Sequence, residues 1–214
     1  MTVYCDVDGT LLDSSARHEC LLRDLLEENG IPWPVHAPDY LNYKADGHST
    51  RGWLEAAGIS RSKAEKIAAA WQARIETEPY LAMDHSYEDA IAFLRALHEL
   101  QAKVVLLSAR QDAGALRTTL QRCALLPLAD EVLVVSPRRA VDEKAAVLRA
   151  RAERGDVMVG DTEADLEAAQ RVGVPCLVLD RGFRSRNYWK RRGIPSLENL
   201  QAVFAAIVGP GKEE

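Results

Sequence analysis

No run of about eighteen apolar residues occurs anywhere in the chain, so no membrane span is expected. An exported leader is not expected either, because Asp6 and Asp8 interrupt the first apolar stretch almost at once. Positive charge is not in excess: 27 Lys and Arg stand against 32 Asp and Glu, for a net charge of -5. The field that draws proteins to phosphate polymers is therefore missing, which excludes nucleic acid as an expected partner. The basic runs Arg184–Arg186 and Lys190–Arg192 read as solvated surface, or at most as the rim of an anionic pocket. Paired cysteines are absent too. Cys5, Cys20, Cys123 and Cys176 form no CxxC and mostly lie in apolar stretches, where a thiol acts as a small hydrophobe. They point to a reducing, cytoplasmic setting. There is no internal repeat, and the tail Gly209–Glu214 lacks the spacing of a phosphate-binding loop and is expected to be disordered.

What is present is enough apolar material, 47% of 214 residues, for one sizeable core with a smaller appended unit. Short valine- and leucine-rich runs recur at Val3–Cys5, Val104–Leu107, Val132–Val135, Val157–Val159 and Cys176–Leu179. Continuous apolarity instead of alternation is the mark of strands covered on both faces, as in a parallel sheet. Helical spacing separates them, near Ala90–Gln101, Asp112–Cys123, Asp142–Glu153, Glu163–Val172 and Leu197–Val208. Ser86 and Asp89 have the spacing of a capping box for the first of these. Strand alternating with helix predicts a doubly wound, mostly parallel α/β sheet of Rossmann-like type. The rhythm breaks between Ser14 and Asp84, where helical patterns are interrupted by Pro32, Pro34, Pro38, Gly47 and Gly58. This segment reads as an inserted helical domain, 14–84, inside a discontinuous core of 1–13 and 85–214. Leu21, Leu22, Leu25 and Leu26 form one apolar stripe, and Ala64, Ile67, Ala68, Trp71 and Ile75 another, with Trp71 read as core.

Polar clusters follow the predicted strands. Asp6-Val7-Asp8-Gly9-Thr10 ends the first, Ser108-Ala109-Arg110 the second, and Gly160-Asp161-Thr162-Glu163-Ala164-Asp165 the fourth, while Lys144 opens a helix beyond the third. In an open α/β sheet ligands gather at the carboxyl ends of the strands, so these clusters should face one crevice. Asp6, Asp8 and Asp161 offer only hard oxygen, which suits magnesium and not zinc. Lys144, Ser108 and the N–H groups of the Asp8–Thr10 turn are placed to hold phosphoryl oxygens.

These four motifs, in this order, resemble those of the haloacid dehalogenase superfamily across the whole predicted core, and the insert is placed like its helical type 1 cap. The resemblance implies that Asp6 is the nucleophile of an aspartyl-phosphate phosphatase and that Asp8 is the acid and base. It also implies that Asp6, Asp8 through its main-chain carbonyl, Asp161 and Asp165 hold Mg2+, and that Lys144 screens nucleophile from phosphate. Dehalogenation is disfavoured, because metal-free members lack an acid at the Asp8 position. The expected substrate is a small phosphorylated metabolite and the expected assembly a monomer or homodimer. A phosphomutase, a phosphonate-cleaving enzyme with a Schiff-base Lys44 or Lys63, and an inactive binding protein remain as alternatives. Thr10 either bonds the nucleophile or closes the turn, and Arg110 either reads substrate phosphate or forms a plain salt bridge. Asp13 is expected to cap the first inserted helix. Glu163 reads as a helix-start carboxylate. Lys44, His48 and Arg51, in a glycine-containing stretch of the insert, are the candidate substrate contacts from the cap.

Overall fold

The computed structural model describes residues 1–209, so the expectation for the tail falls, apart from Gly209, outside the described residues. The chain opens with β1 (Thr2–Cys5) and β2 (Leu12–Asp13). The insert follows as α1 (Ser15–Glu28), α2 (Tyr40–Ala45), α3 (Thr50–Ala56) and α4 (Arg61–Arg74). The chain then returns through β3 (His85–Ser86), α5 (Ala90–Glu99), β4 (Lys103–Ala109), α6 (Ala113–Arg122), β5 (Glu131–Val135) and α7 (Ala140–Arg151). It ends with β6 (Val157–Gly160), α8 (Glu163–Gln170), β7 (Cys176–Val178), α9 (Arg186–Arg191) and α10 (Leu200–Val208).

The five strands predicted from apolar runs form one parallel sheet in the order β5, β4, β1, β6, β7. Strand alternation divides the core. Val3, Cys5, Val104 and Leu106 point to the face covered by α5, α6 and α10, through Phe93, Leu94, Leu116, Leu120 and Val203. Tyr4, Val105, Leu107 and Met158 point to the face covered by α7 and α8, through Ala145, Leu148, Ala168 and Ala169. Each strand is thus apolar on both sides, the reason its sequence shows no alternation. The chain leaves β1 on one side for β4 and β5 and returns on the other for β6 and β7. The switch point lies beside β1, where a crevice opens at the carboxyl ends.

The insert is helical and has its own core of Leu21, Leu22, Leu25, Leu26, Tyr40, Trp53, Leu54, Ala64 and Ile67. Trp71 packs only partly against this core. The two chain crossings between insert and sheet are tied together, since β2 pairs antiparallel with β3, Leu12 opposite Ser86 and Asp13 opposite His85. Asp13 Oδ1 accepts from the Ser15 N–H at 2.9 Å, but Asp13 does not take the expected cap position: Ser14 is the N-cap of α1, without a side-chain bond, and Asp13 is drawn into β2. The capping box expected of Ser86 and Asp89 does not form. Ser86 is taken up in β3, and Asp89 instead accepts from Arg181 Nη1 at 2.8 Å and from the Leu200 N–H at 2.8 Å, tying α10 and the loop after β7 to the start of α5. The helix α9 was not expected from the basic runs that surround it; Tyr188 and Trp189 are its buried residues, while Arg186, Lys190 and Arg191 are exposed. Among the described residues no helix is long and apolar enough to cross a membrane.

Candidate active site

The Asp6–Thr10 turn leaves β1 as a tight loop, held by the Leu11 N–H on the Val7 carbonyl at 2.9 Å and the Gly9 N–H on the Leu12 carbonyl at 2.7 Å. Gly9 has φ of 84°, a left-handed conformation, and a methyl group there would overlap the Asp161 carboxylate. A methyl at Gly182, in the loop after β7, would overlap the same carboxylate. Both glycines let backbone close around Asp161. The Gly9 and Thr10 N–H groups are consumed inside the turn, the latter on Val7 at 3.3 Å. Of the three turn residues expected to hold phosphoryl oxygens, only Asp8 can still offer its N–H.

Lys144, in the second turn of α7, is 2% exposed and lies between two carboxylates, 2.6 Å from Asp6 Oδ1 and 2.5 Å from Asp165 Oδ1. Asp165 caps its own helix α8 with its other oxygen, accepting from the Thr162 N–H and hydroxyl at 3.1 and 2.8 Å. Asp161 accepts from the Phe183 N–H at 2.5 Å and from Thr10 Oγ1 at 3.3 Å. Thr10 therefore bonds Asp161, not Asp6. Carboxylate oxygens of Asp6, Asp161 and Asp165 all lie within 4.8 Å of one another. Burial pushes Asp6 up well above the usual carboxylate range, and burial with the Asp165 charge pushes Asp161 up to about 7. Three buried acids facing one lysine are short of positive charge. Their all-oxygen donor set fits a hard divalent cation.

Ser108, at the end of β4, is buried with its hydroxyl unpartnered. The Asp8 carboxylate points away from this cluster into a clamp of two arginines. Arg110 donates from Nε and Nη2 at 2.7 and 2.6 Å, and Arg17, from α1 of the insert, donates from Nη2 at 2.7 Å. Burial alone would raise this carboxylic acid, but Arg110 and then Arg17 hold it well below the usual range, and it is anionic. The Asp8 side chain as found is thus neither a ligand in the carboxylate cluster nor a ready proton donor.

Asp84, at the second crossing between insert and core, backs this clamp, 3.0 Å from Arg110 Nη2 and 3.2 Å from Arg17 Nε. The second pair is close but is not aligned as a hydrogen bond. Burial pushes Asp84 up to about 6 against the opposing pull of Arg17. Its proton is bound more tightly in the folded than in the unfolded chain, so this group's contribution to stability falls as pH rises from about 4 to about 6. Asp84→Asn should therefore gain on the wild type by about 1 kcal/mol between about pH 5 and pH 7.5, in paired urea melts. An identical difference at both pH values would show that Asp84 holds its proton no more tightly when folded.

A cavity of about 670 Å³ covers these groups. Its floor includes Asp6, Asp8, Arg110 and Lys144, and its roof is the insert, through Arg17, His18, Trp71, Gln72 and Ile75, with Phe183 at one side. His18 stacks on Phe183 at 4.5 Å and meets Trp71 edge-on at 4.9 Å. Burial, and then the charge of Lys44, keep His18 well below its ordinary pKa and neutral.

The cap residues expected at the substrate do not line this cavity. The Lys44 ammonium lies behind the wall, 4.8 Å from the Trp71 ring centre and 5.8 Å from that of Phe183, and burial with Arg184 pushes it down to about 8. His48 is exposed and stacks on Tyr43 at 4.2 Å. Arg51 is exposed and pairs with Glu55 and Glu65 at 3.8 and 4.0 Å. The cause is the Gly47 turn, which packs against Tyr188 of α9 and carries this stretch away from the crevice. Arg17, His18 and Gln72 take the expected place in the roof, and none was singled out by sequence reasoning. Glu163, at the start of α8, pairs with Arg184 at 2.7 Å and with the Tyr188 hydroxyl.

The model of the haloacid dehalogenase-like hydrolases matches residues 1–173. A haloacid dehalogenase-like hydrolase from Streptococcus pneumoniae superposes with a TM-score of 0.74 at 18% identity, over 96% of this chain and 97% of that one. A predicted phosphatase from Clostridium acetobutylicum superposes with a TM-score of 0.71 at 18% identity, over 97% of each chain. Protein Tyrosine Kinase A from Mycobacterium tuberculosis superposes with a TM-score of 0.72 at 22% identity, over 96% and 97%. No curated protein matches in sequence. At these identities the structures show a shared fold, and the family match rests on the chain itself: it belongs to the haloacid dehalogenase-like hydrolases.

Proposed function

We propose that the chain is a magnesium-dependent phosphatase that hydrolyses a small phosphorylated metabolite through an aspartyl-phosphate on Asp6. The observation that carries this reading is the placing of Asp6 on Lys144, beside Asp161 and Asp165, at the floor of a cavity roofed by the insert. Asp6, Asp161 and Asp165 would hold the metal, which when bound supplies the missing positive charge and polarises the phosphoryl oxygens. The Asp6 oxygen not engaged by Lys144 attacks phosphorus, and the ester oxygen leaves with a proton. Lys144 holds the other oxygen and orients the carboxylate. The free Ser108 hydroxyl donates to a phosphoryl oxygen. Asp8 must first leave the arginine clamp and take up a proton from solvent; it then gives that proton to the leaving oxygen and later takes one from the attacking water. The division into core, 1–13 and 85–214, and cap, 14–84, belongs to the same reading, supported by the β2–β3 ribbon at both crossings. Lys44, packed on rings behind the cavity wall, gives no support to a Schiff-base mechanism.

A panel of phosphate esters assayed for inorganic phosphate tests the reading. Release is expected with Mg2+, with kcat/KM falling at least about 100-fold under chelation. Isomerised sugar phosphate without phosphate release would replace the hydrolase by a mutase. Absence of any turnover would favour a binding protein.

A further inference from the structure

Among the described residues, eight buried side-chain nitrogen or oxygen atoms have no hydrogen-bond partner, and six of them belong to Arg17, His18, Asp84, Ser108 and Arg110. Arg17 Nε and Asp84 Oδ1 face each other at 3.2 Å, and three of the five residues, Arg17, His18 and Arg110, line one cavity; a buried polar group left unpaired costs about 1–3 kcal/mol, so this grouping marks a place shaped for a ligand. The transferring phosphoryl group accounts for Ser108. It does not account for the arginines. Arg17 and Arg110 are 3% and 2% exposed, both line the cavity, and the Nη1 of each is without a partner. Arg110 Nε and Nη2 and Arg17 Nη2 grip the Asp8 carboxylate, two residues beyond Asp6, while Arg17 Nε faces Asp84.

We propose that Arg17 and Arg110 form a subsite for a second, carboxylate group of the substrate, and that the substrate is a phosphorylated carboxylic acid. This deepens the phosphatase reading and rests on it. The group already held by the Arg110 fork and one Arg17 N–H is itself a carboxylate, so a substrate carboxylate can replace it oxygen for oxygen in the same planar geometry. Charge favours the same choice. Arg17 and Arg110 face Asp8 and Asp84, two cations against two anions, so exchange of one monoanion for another keeps the clamp neutral whereas a dianion would not. The exchange also releases Asp8 from the clamp toward the ester oxygen, so the acid group of the substrate raises turnover as well as affinity. A purely structural quartet would spend its donors on protein acceptors, and here one buried N–H group of each arginine, on a residue that lines the cavity, has no acceptor. The carbon skeleton would lie against Trp71, Ile75 and Phe183.

Two ester pairs matched except for the carboxylate decide the matter: 3-phosphoglycerate with glycerol 3-phosphate, and 2-phosphoglycolate with ethyl phosphate. With Mg2+ present, the wild type should prefer each acid by at least about 30-fold in kcat/KM, with part of the gain in kcat, the size expected of a charge-assisted contact. Arg17→Gln should reduce the preference below about 3-fold, and Arg17→Lys, which keeps the charge and loses the fork, should fall between. If Arg17→Gln does not fold by circular dichroism, the Arg17→Lys preference is the readout, and a value equal to wild type counts against the subsite. Equal rates for the paired esters, with p-nitrophenyl phosphate hydrolysed, would overturn the subsite and leave the phosphatase standing. If p-nitrophenyl phosphate and all four esters fail, the phosphatase reading falls. Calorimetry of 2-phosphoglycolate against ethyl phosphate then decides the subsite separately, equal affinities overturning it.

Discussion

Asp6→Asn should abolish turnover, with kcat falling by at least about 10⁴-fold, while the chain stays folded. The amide has nearly the shape of the carboxylate and can still accept from Lys144, but it cannot displace an alkoxide at phosphorus. Stability should not suffer. Burial pushes the Asp6 carboxylic acid up, which means that keeping it charged at neutral pH opposes folding in the metal-free chain. A neutral amide removes that opposition, so the metal-free variant should melt at or above the wild-type temperature. Wild type incubated with substrate and quenched with borohydride should show reduction at Asp6, and the variant none. Near-normal turnover by Asp6→Asn would end the nucleophile assignment, whatever the fate of the fold.

Legibility in the sequence follows the physics of each part. Strands buried on both faces leave continuous apolar runs, and all five core strands could be placed from them. Carboxylates at strand ends were equally readable, because polar clusters directly after apolar runs must meet at the carboxyl edge of a parallel sheet. Contacts between distant segments were not. Arg17 stands between the hydroxyl-rich start of α1 and its leucine stripe, and nothing local says that it turns back to Asp8. Lys44, His48 and Arg51 were expected at the substrate because they are polar and near glycine, yet the Gly47 turn docks on Tyr188, about 140 positions away in sequence. The helix bearing Tyr188 was itself hidden, since its buried residues are two adjacent aromatics within basic surface and set up no periodicity.

Lys144→Met tests whether the three carboxylates are held together by one lysine. Burial works to discharge this ammonium, but Asp165 and Asp6 overrule it and raise it above the ordinary lysine range. Methionine fills a similar volume without charge, leaving Asp6, Asp161 and Asp165 within 4.8 Å of one another with no cation between them. Breaking a buried ion pair by removing one partner costs about 3–5 kcal/mol, and in chelator at neutral pH the variant should lose about that much. The carboxylates left behind would take up protons more readily when folded than when unfolded. The variant should therefore recover stability as pH falls and lose it as pH rises, more steeply than wild type. A cation that binds only the folded chain stabilises it by mass action, so millimolar Mg2+ should raise the melting temperature of Lys144→Met more than that of wild type. Activity should still fall by about 100- to 1,000-fold in saturating Mg2+, because the metal does not replace the donor that orients the Asp6 carboxylate. If the variant in chelator were as stable as wild type at neutral pH, with no added response to Mg2+, the three acids would not be sharing a charged site, and the metal centre proposed for Asp6, Asp161 and Asp165 would have to be given up.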